Sequence, residues 1–174
     1  MDVPLSEAGR EHSRRVAERL AGIAYDAIYS SDLQRAVYLA ESLARPRGLP
    51  VETDAIFRER DMGVLQGMHA DRLEREQAEL YRPWRADRVY HRVPESENFE
   101  DLRARIVPAL EALARRHPGG RAALVCHAGP IRVMLAHVIG LPLEHIFRLT
   151  VAHGSVSIVE WPLAEPTRLV QMGT

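Results

Sequence analysis

An α/β fold, with a largely parallel sheet and helices on both of its faces, is predicted by three features of this 174-residue chain. Two segments read as strand, tight turn and helix in immediate succession, and strands alternate with helices along the length. One strand, residues 122–126, is apolar at every position, as a strand covered on both faces must be. Ligands of such sheets sit beyond the carboxyl ends of the strands, so chemistry is sought in the turns that follow them.

The elements follow in order. Residues 5–21 form a helix with Ser6 as N-cap, Val16, Ala17 and Leu20 at helical spacing, and Gly22 at its end. Residues 26–30 are a short buried strand, and the helix at once behind it, residues 32–45, is stopped by Pro46 and Gly48. Residues 51–57 favour extended backbone. Gly63 and Gly67 mark a loop before a polar, charge-laced helix over 70–80, and residues 81–97, with Pro83 and Pro94, are an irregular crossing. Asn98 caps a long helix reaching about Arg116, in which Leu102, Ile106, Leu110 and Leu113 share a face and Pro108 bends the axis without ending it. Pro118, Gly119 and Gly120 stop it. Strand 122–126 runs through His127 into a Gly-Pro turn and a helix over 131–139. Residues 156–161 alternate as a late strand, with 168–172 pairing beside it at a sheet edge. No repeat or low-complexity tract divides the chain, so residues 1–174 are read as one domain.

Composition narrows the function classes. Hydrophobic residues make up 46% of the chain, enough for a core, and the net charge of −1 comes from arginines interleaved with Asp and Glu. That pattern lacks the one-sided basic surface nucleic acid needs. No apolar run approaches the roughly 20 residues of a membrane span, and the first residues lack the basic-then-apolar layout of a signal peptide. A soluble, cytoplasmic protein is expected, with a small phosphorylated substrate as partner and a homodimer left open. One cysteine, no CxxC pair and no HExxH helix point to no metal and no cofactor.

Three polar residues stand where chemistry is expected. Arg35, about one turn into its helix, can offer a planar fork to two phosphate oxygens, although an isolated helical arginine is more often a surface group. His127 ends an apolar strand before Ala128 and Gly129, whose small size leaves room for a ligand; a histidine bonded to backbone is the alternative. Glu59, between Ile56-Phe57 and a glycine-rich turn, is suited to general-acid work if phosphate and apolar walls surround it, and otherwise to an ion pair with Arg58 or Arg60. Both strand-turn-helix units aim a helix N-terminus at the same rim, which favours an anion. A competing pattern is Cys126-x5-Arg132, the loop of cysteine-dependent phosphatases. Pro130 removes an N–H that loop needs, and a cysteine ending an apolar strand is ordinarily inert.

Taken together, the motifs resemble those of the histidine phosphatase superfamily, the phosphoglycerate mutase-like family. They are Asp2-x-Pro4-Leu5-Ser6-x-x-Gly9, Ser30-Ser31-Asp32-Leu33-x-Arg35-Ala36, Glu59-Arg60-x-x-Gly63-x-x-x-Gly67, and Cys126-His127-Ala128-Gly129-Pro130-Ile131-Arg132, with a weaker match from Pro94 to Asp101. The resemblance implies a three-layer α/β/α sandwich and metal-independent phosphoryl transfer through phosphohistidine. It casts Arg35 as a phosphate clamp, His127 as the second histidine and Glu59 as proton donor, with Arg60, the Ala128 amide and Asn98 as further phosphate or substrate contacts. The compact interval from Gly67 to Pro94 favours a phosphomonoester hydrolase over a cofactor-dependent mutase, and a phosphate-binding remnant without turnover is the third reading.

The family's nucleophile lies in an Arg-His-Gly tripeptide on its first, central strand, and these 174 residues contain no such tripeptide. The expectation is therefore an N-terminally incomplete domain, inactive as written, whose missing strand leaves two open edges to be filled by a longer reading frame or another chain. Of the remaining histidines, His12, His69, His91, His117, His137, His145 and His153, only His153, just before Gly154-Ser155, is a residue to check.

Overall fold

The computed structural model describes residues 1–161 and 166–173. Helix α1 (Glu7–Arg19) starts where the Ser6 hydroxyl accepts the Gly9 N–H. Strand β1 (Ala27–Ser30) and helix α2 (Gln34–Ala44) follow, then strand β2 (Val51–Thr53). Helices α3 (Ala70–Glu76), α4 (Ala78–Ala86) and α5 (Phe99–Arg116) lead to strand β3 (Ala122–Val125), helix α6 (Ala128–Val138), and strands β4 (Ile158–Glu160) and β5 (Arg168–Gln171).

The main sheet is parallel, in the order β2-β1-β3. Because successive strand residues face opposite sides, Ile28, Ala123 and Val125 pack with Leu43, Ala40 and Ala44 of α2 and Ala17 of α1, while Leu124 and Cys126 pack with Leu102 and Ile106 of α5 and Val133 of α6. Helices therefore cover both faces, giving the α/β/α sandwich. A smaller cluster of Leu65, Leu73, Tyr81 and Val93 fastens α3 and α4 to the loop before α5.

Several boundaries differ from expectation for local reasons. Extended backbone ends at Thr53, because the Asp54 side chain accepts the Ile56 N–H and opens a 3-10 turn over Ala55–Phe57. The helix expected over 70–80 breaks at Gln77, where φ is −136° and ψ 30°, and resumes as α4 through the stretch expected to be irregular. Pro83 is tolerated inside α4 because Tyr81 and Trp84 stack at 5.7 Å over the small cluster. Helix α6 begins at Ala128, ahead of the expected 131: Pro130 falls in the first turn, where its missing N–H has no intrahelical partner. A 3-10 segment over Leu143–Arg148 was not anticipated.

Strand β3 departs from expectation in burial. All four of its residues are only half-buried, against the almost wholly buried β1. Among the described residues no strand pairs with its second edge, and β4 and β5 form a separate antiparallel pair whose Val159 and Leu169 share an apolar cluster with Leu124 and Cys126.

The loop that carries Glu59 is locked from two directions. Arg105 of α5 grips Glu97 through both carboxylate oxygens (2.6 and 2.9 Å) and donates to the carbonyls of Ile56, Arg58 and Glu59. Glu97 N–H donates to Asp61 O at 3.0 Å. Gly63 adopts φ 53° against Pro94 O, a site where any Cβ collides with backbone.

Ser30 Oγ, wholly buried at the end of β1, has no hydrogen-bond partner among the described residues. Ser30→Ala is expected to stabilise the protein by about 1 kcal/mol in urea unfolding, since it deletes a desolvated hydroxyl with no bond to lose. A loss of that size would show that the hydroxyl has a partner after all.

Candidate active site

The ends of β1 and β3 lie side by side, joined by Ser31 N–H donating to Val125 O at 3.0 Å. From that junction His127, the N-cap of α6, meets Ser31: its Nε2 and the Ser31 Oγ are 2.7 Å apart and both residues are buried. Arg35 projects from the first turn of α2 and donates from Nη1 to Met1 O at 3.1 Å. The Asp2 carboxylate accepts the Gln34 backbone N–H (2.8 Å) and side-chain amide (3.0 Å), which pulls its pKa below the usual carboxylate range. The N-terminus of α2 thus already holds an anion, as its unpaired amides favour.

Burial pushes the His127 pKa down to about 4, helped by the positive fields of Arg35 and Arg105 and opposed by Asp32. The imidazole is neutral at physiological pH. A phosphate dianion beside it would reverse that balance by supplying the missing counter-charge.

Glu59 sits on the first turn of α6. Its Oε1 accepts the Arg60 N–H at 2.8 Å and the Gly129 N–H at 3.1 Å, and Oε2 lies 3.2 Å from the same Gly129 nitrogen. A Cβ at 129 would overlap Glu59 Oε1, so any larger residue there would displace this carboxylate. Arg35, His127 and Glu59 are thereby gathered around the adjoining ends of β1 and β3 and the α6 N-terminus, with Ala128 as the first helical residue. Cavities of about 200 and 190 Å³ lie elsewhere, one behind α6 near His137 and Leu141, the other between Tyr29, Ile56 and Leu113.

Other expected residues have different duties. Asn98 is a helix cap: Oδ1 accepts from Glu100 and Asp101 N–H, Nδ2 donates to Tyr90 O, and Asp101 returns a bond to the Asn98 N–H. Its carbonyl oxygen is spent on the cap, one amide N–H is given to Tyr90 O, and the residue is only 6% exposed. The Arg60 side chain turns to Arg88 O and the rings of Phe99 and Trp84. Glu59 forms no ion pair with Arg58, which instead grips Asp32 at 2.6 Å. The Cys126 thiol is driven up to about 12 by burial, so the cysteine-loop pattern lacks its thiolate. His153 is exposed and its carbonyl contacts His12 Nε2 at 3.1 Å. The sequence reading missed Ser31 and Arg105 as parts of the site; Ser31 stood inside a motif, whereas nothing in the pattern around Arg105 signalled its reach.

Over residues 1–172 the chain matches the family described as "Histidine phosphatase superfamily (branch 1)". It is 32% identical over 160 residues to the "Probable phosphoglycerate mutase GpmB" of Citrobacter koseri, spanning 92% of this chain and 74% of that protein. Bacillus stearothermophilus YhfR superposes with a TM-score of 0.87 at 25% identity, over 97% of this chain and 84% of that one. A mycobacterial glucosyl-3-phosphoglycerate phosphatase superposes at 0.86 with 28% identity, over 97% and 87%. The chain belongs to the histidine phosphatase superfamily, and its α/β/α layers are those of the phosphoglycerate mutase-like fold.

The depressed His127 pKa carries a stability signature. Folded His127 takes up its proton near pH 4 and the unfolded residue near 6.5, so the unfolded chain binds more protons between those values. Stability from this group is present above pH 6.5 and drains away as pH falls towards 4, by about 3 kcal/mol in all. Urea titrations across that window should show His127→Gln flattening this part of the pH dependence; an unchanged slope would count against a buried neutral imidazole.

Proposed function

We propose that this chain binds and hydrolyses small phosphomonoesters at the rim formed by Ser31, Arg35, Glu59 and His127. The observation that carries the reading is the buried, neutral His127, bonded to Ser31 and set at a helix N-terminus within the positive field of Arg35. The phosphoryl group is held by the Arg35 fork, by His127 and by the first amides of α6, where a dianion finds donors already oriented. Arg35 exchanges the Met1 carbonyl for phosphate, and His127 gains a proton partner as the anion offsets the burial that keeps it neutral.

Glu59 is the proton donor to the leaving oxygen. Two amides hold its carboxyl in place, so a proton on that carboxyl is aimed without rearrangement. The similarity to a mycobacterial glucosyl-3-phosphoglycerate phosphatase supports hydrolysis. The 32% identity to a protein named as a probable phosphoglycerate mutase supports, as a second reading, transfer of the phosphoryl group between positions of one metabolite. Reaction through a phosphohistidine calls for a nucleophile in addition to His127. A site that binds phosphate without turnover is the third reading.

Calorimetry with inorganic phosphate, together with p-nitrophenyl phosphate hydrolysis in EDTA and trapping of acid-labile phosphate, separates these readings. Phosphate is expected to bind, with Arg35→Ala weakening it about 10-fold or more. Where turnover is present, Glu59→Gln should lower it by about 10² to 10⁴, and less for the activated p-nitrophenolate than for an alkyl leaving group. Absence of phosphate binding would end the proposal, and equal losses on both substrates would remove Glu59 from the role of acid.

A further inference from the structure

A cavity of about 200 Å³ opens behind the second half of α6, between that helix, Arg103 of α5 and the turn through Gly140. Val133 and Ala136 of α6, with Leu141 and Leu143 beyond it, form the apolar walls. All four pack in the main apolar cluster, so the walls are held in place by the core. A Cβ on Gly140 would meet nothing within 4 Å, and the cavity is open to solvent on that side.

The ionisable side chains on this lining are Arg103 and His137, and no Asp or Glu lies among them. His137 has partners of its own: Nε2 is 3.4 Å from Glu111 Oε1, and the ring stacks at 6.2 Å on Trp161. Arg103 has none. Among the described residues its guanidinium forms no hydrogen bond, ion pair or ring contact, although it stands on a protein in which most arginines are engaged. Its field reaches the Tyr90 hydroxyl, but that group already donates to Glu144 Oε2 at 3.0 Å. A guanidinium with free N–H edges beside apolar walls suits an amphiphilic anion. The planar fork pairs with a carboxylate through two parallel bonds, and hydrocarbon takes the walls.

We propose that this cavity binds a small monocarboxylate with a short hydrocarbon tail, its carboxylate on Arg103 and its tail against Val133, Ala136, Leu141 and Leu143. The volume falls below the roughly 300–1,000 Å³ of sites for drug-sized ligands, which restricts the occupant to a small acid. The site is separate from the phosphate rim, because His137 stands ten residues along α6 from His127, about 15 Å of helix rise. Neither Arg103 nor His137 takes part in the phosphate chemistry, so the two sites are tested independently.

Hexanoate, acetate, hexanol and inorganic phosphate are titrated into the isotope-labelled 174-residue chain at fixed pH and ionic strength, with backbone amide shifts read by NMR. Hexanoate should bind with a Kd of about 1 mM and move the Gly140 and Leu141 amides. Acetate, which lacks the tail, and hexanol, which lacks the charge, should each bind at least about 10-fold more weakly. Arg103 is exposed and unpaired, so Arg103→Gln keeps the fold; it should bring hexanoate down to the level of hexanol, while Arg103→Lys retains part of the gain through its charge. Hexanoate that binds no tighter than acetate or hexanol, or equally well to Arg103→Gln, overturns the site. So does hexanoate that moves the Ala128 amide and is displaced by phosphate, because the acid is then drawn to the rim and not to Arg103.

Discussion

The contact on which the site depends is the Glu59 carboxylate on the first turn of α6. It ties a glycine-rich loop to a helix N-terminus across 70 positions of sequence, and it exists because residue 129 has no side chain. Arg105 makes it durable, gripping three carbonyls of the same loop and neutralised by Glu97. A mobile carboxylate would compete with any anion for the α6 amides; a fixed one defines a boundary beside which phosphate can sit.

Charge and burial are set against each other throughout this region. His127 is kept neutral by its surroundings, the Asp2 carboxylate satisfies the end of α2, and the exposed Arg58 and half-buried Asp32 neutralise each other. The arginines around Phe147 and Trp84 are the exception, stabilised by ring faces and carbonyls in place of carboxylates.

Strand β3 is set apart in apolar terms. Residues 122–126 carry the side chains of a doubly covered strand, yet β3 is half-buried and pairs along one edge among the described residues. Its inner neighbour β1 is nearly inaccessible. The apolar run of β3 is thus matched by helices above and below and, among the described residues, by a strand along one edge, while the β4–β5 pair meets it through side chains. An edge of this kind leaves amide and carbonyl groups ready for pairing.

Much of the architecture was legible before any coordinates. Caps, apolar runs and turn residues act over a few positions, so Ser6, Asn98 and the two strand-turn-helix units that set Arg35 and His127 at one rim could be read from local pattern, while Glu59 joined them through the family resemblance. What those residues touch could not. The Ser31–His127 bond spans 96 positions, Arg105 reaches back 49 to Ile56, and Asn98 is absorbed by its own cap. Helix through Pro83 likewise depends on Tyr81 packing against Leu65, Leu73 and Val93, a tertiary contact that overrides the proline. The sequence by itself determined most of the helices and strands and which residues stand at the strand ends, because those depend on backbone preference and periodicity. Only the tertiary structure decided their hydrogen-bond partners, burial and charge state, because each of these arises from groups brought together by the fold.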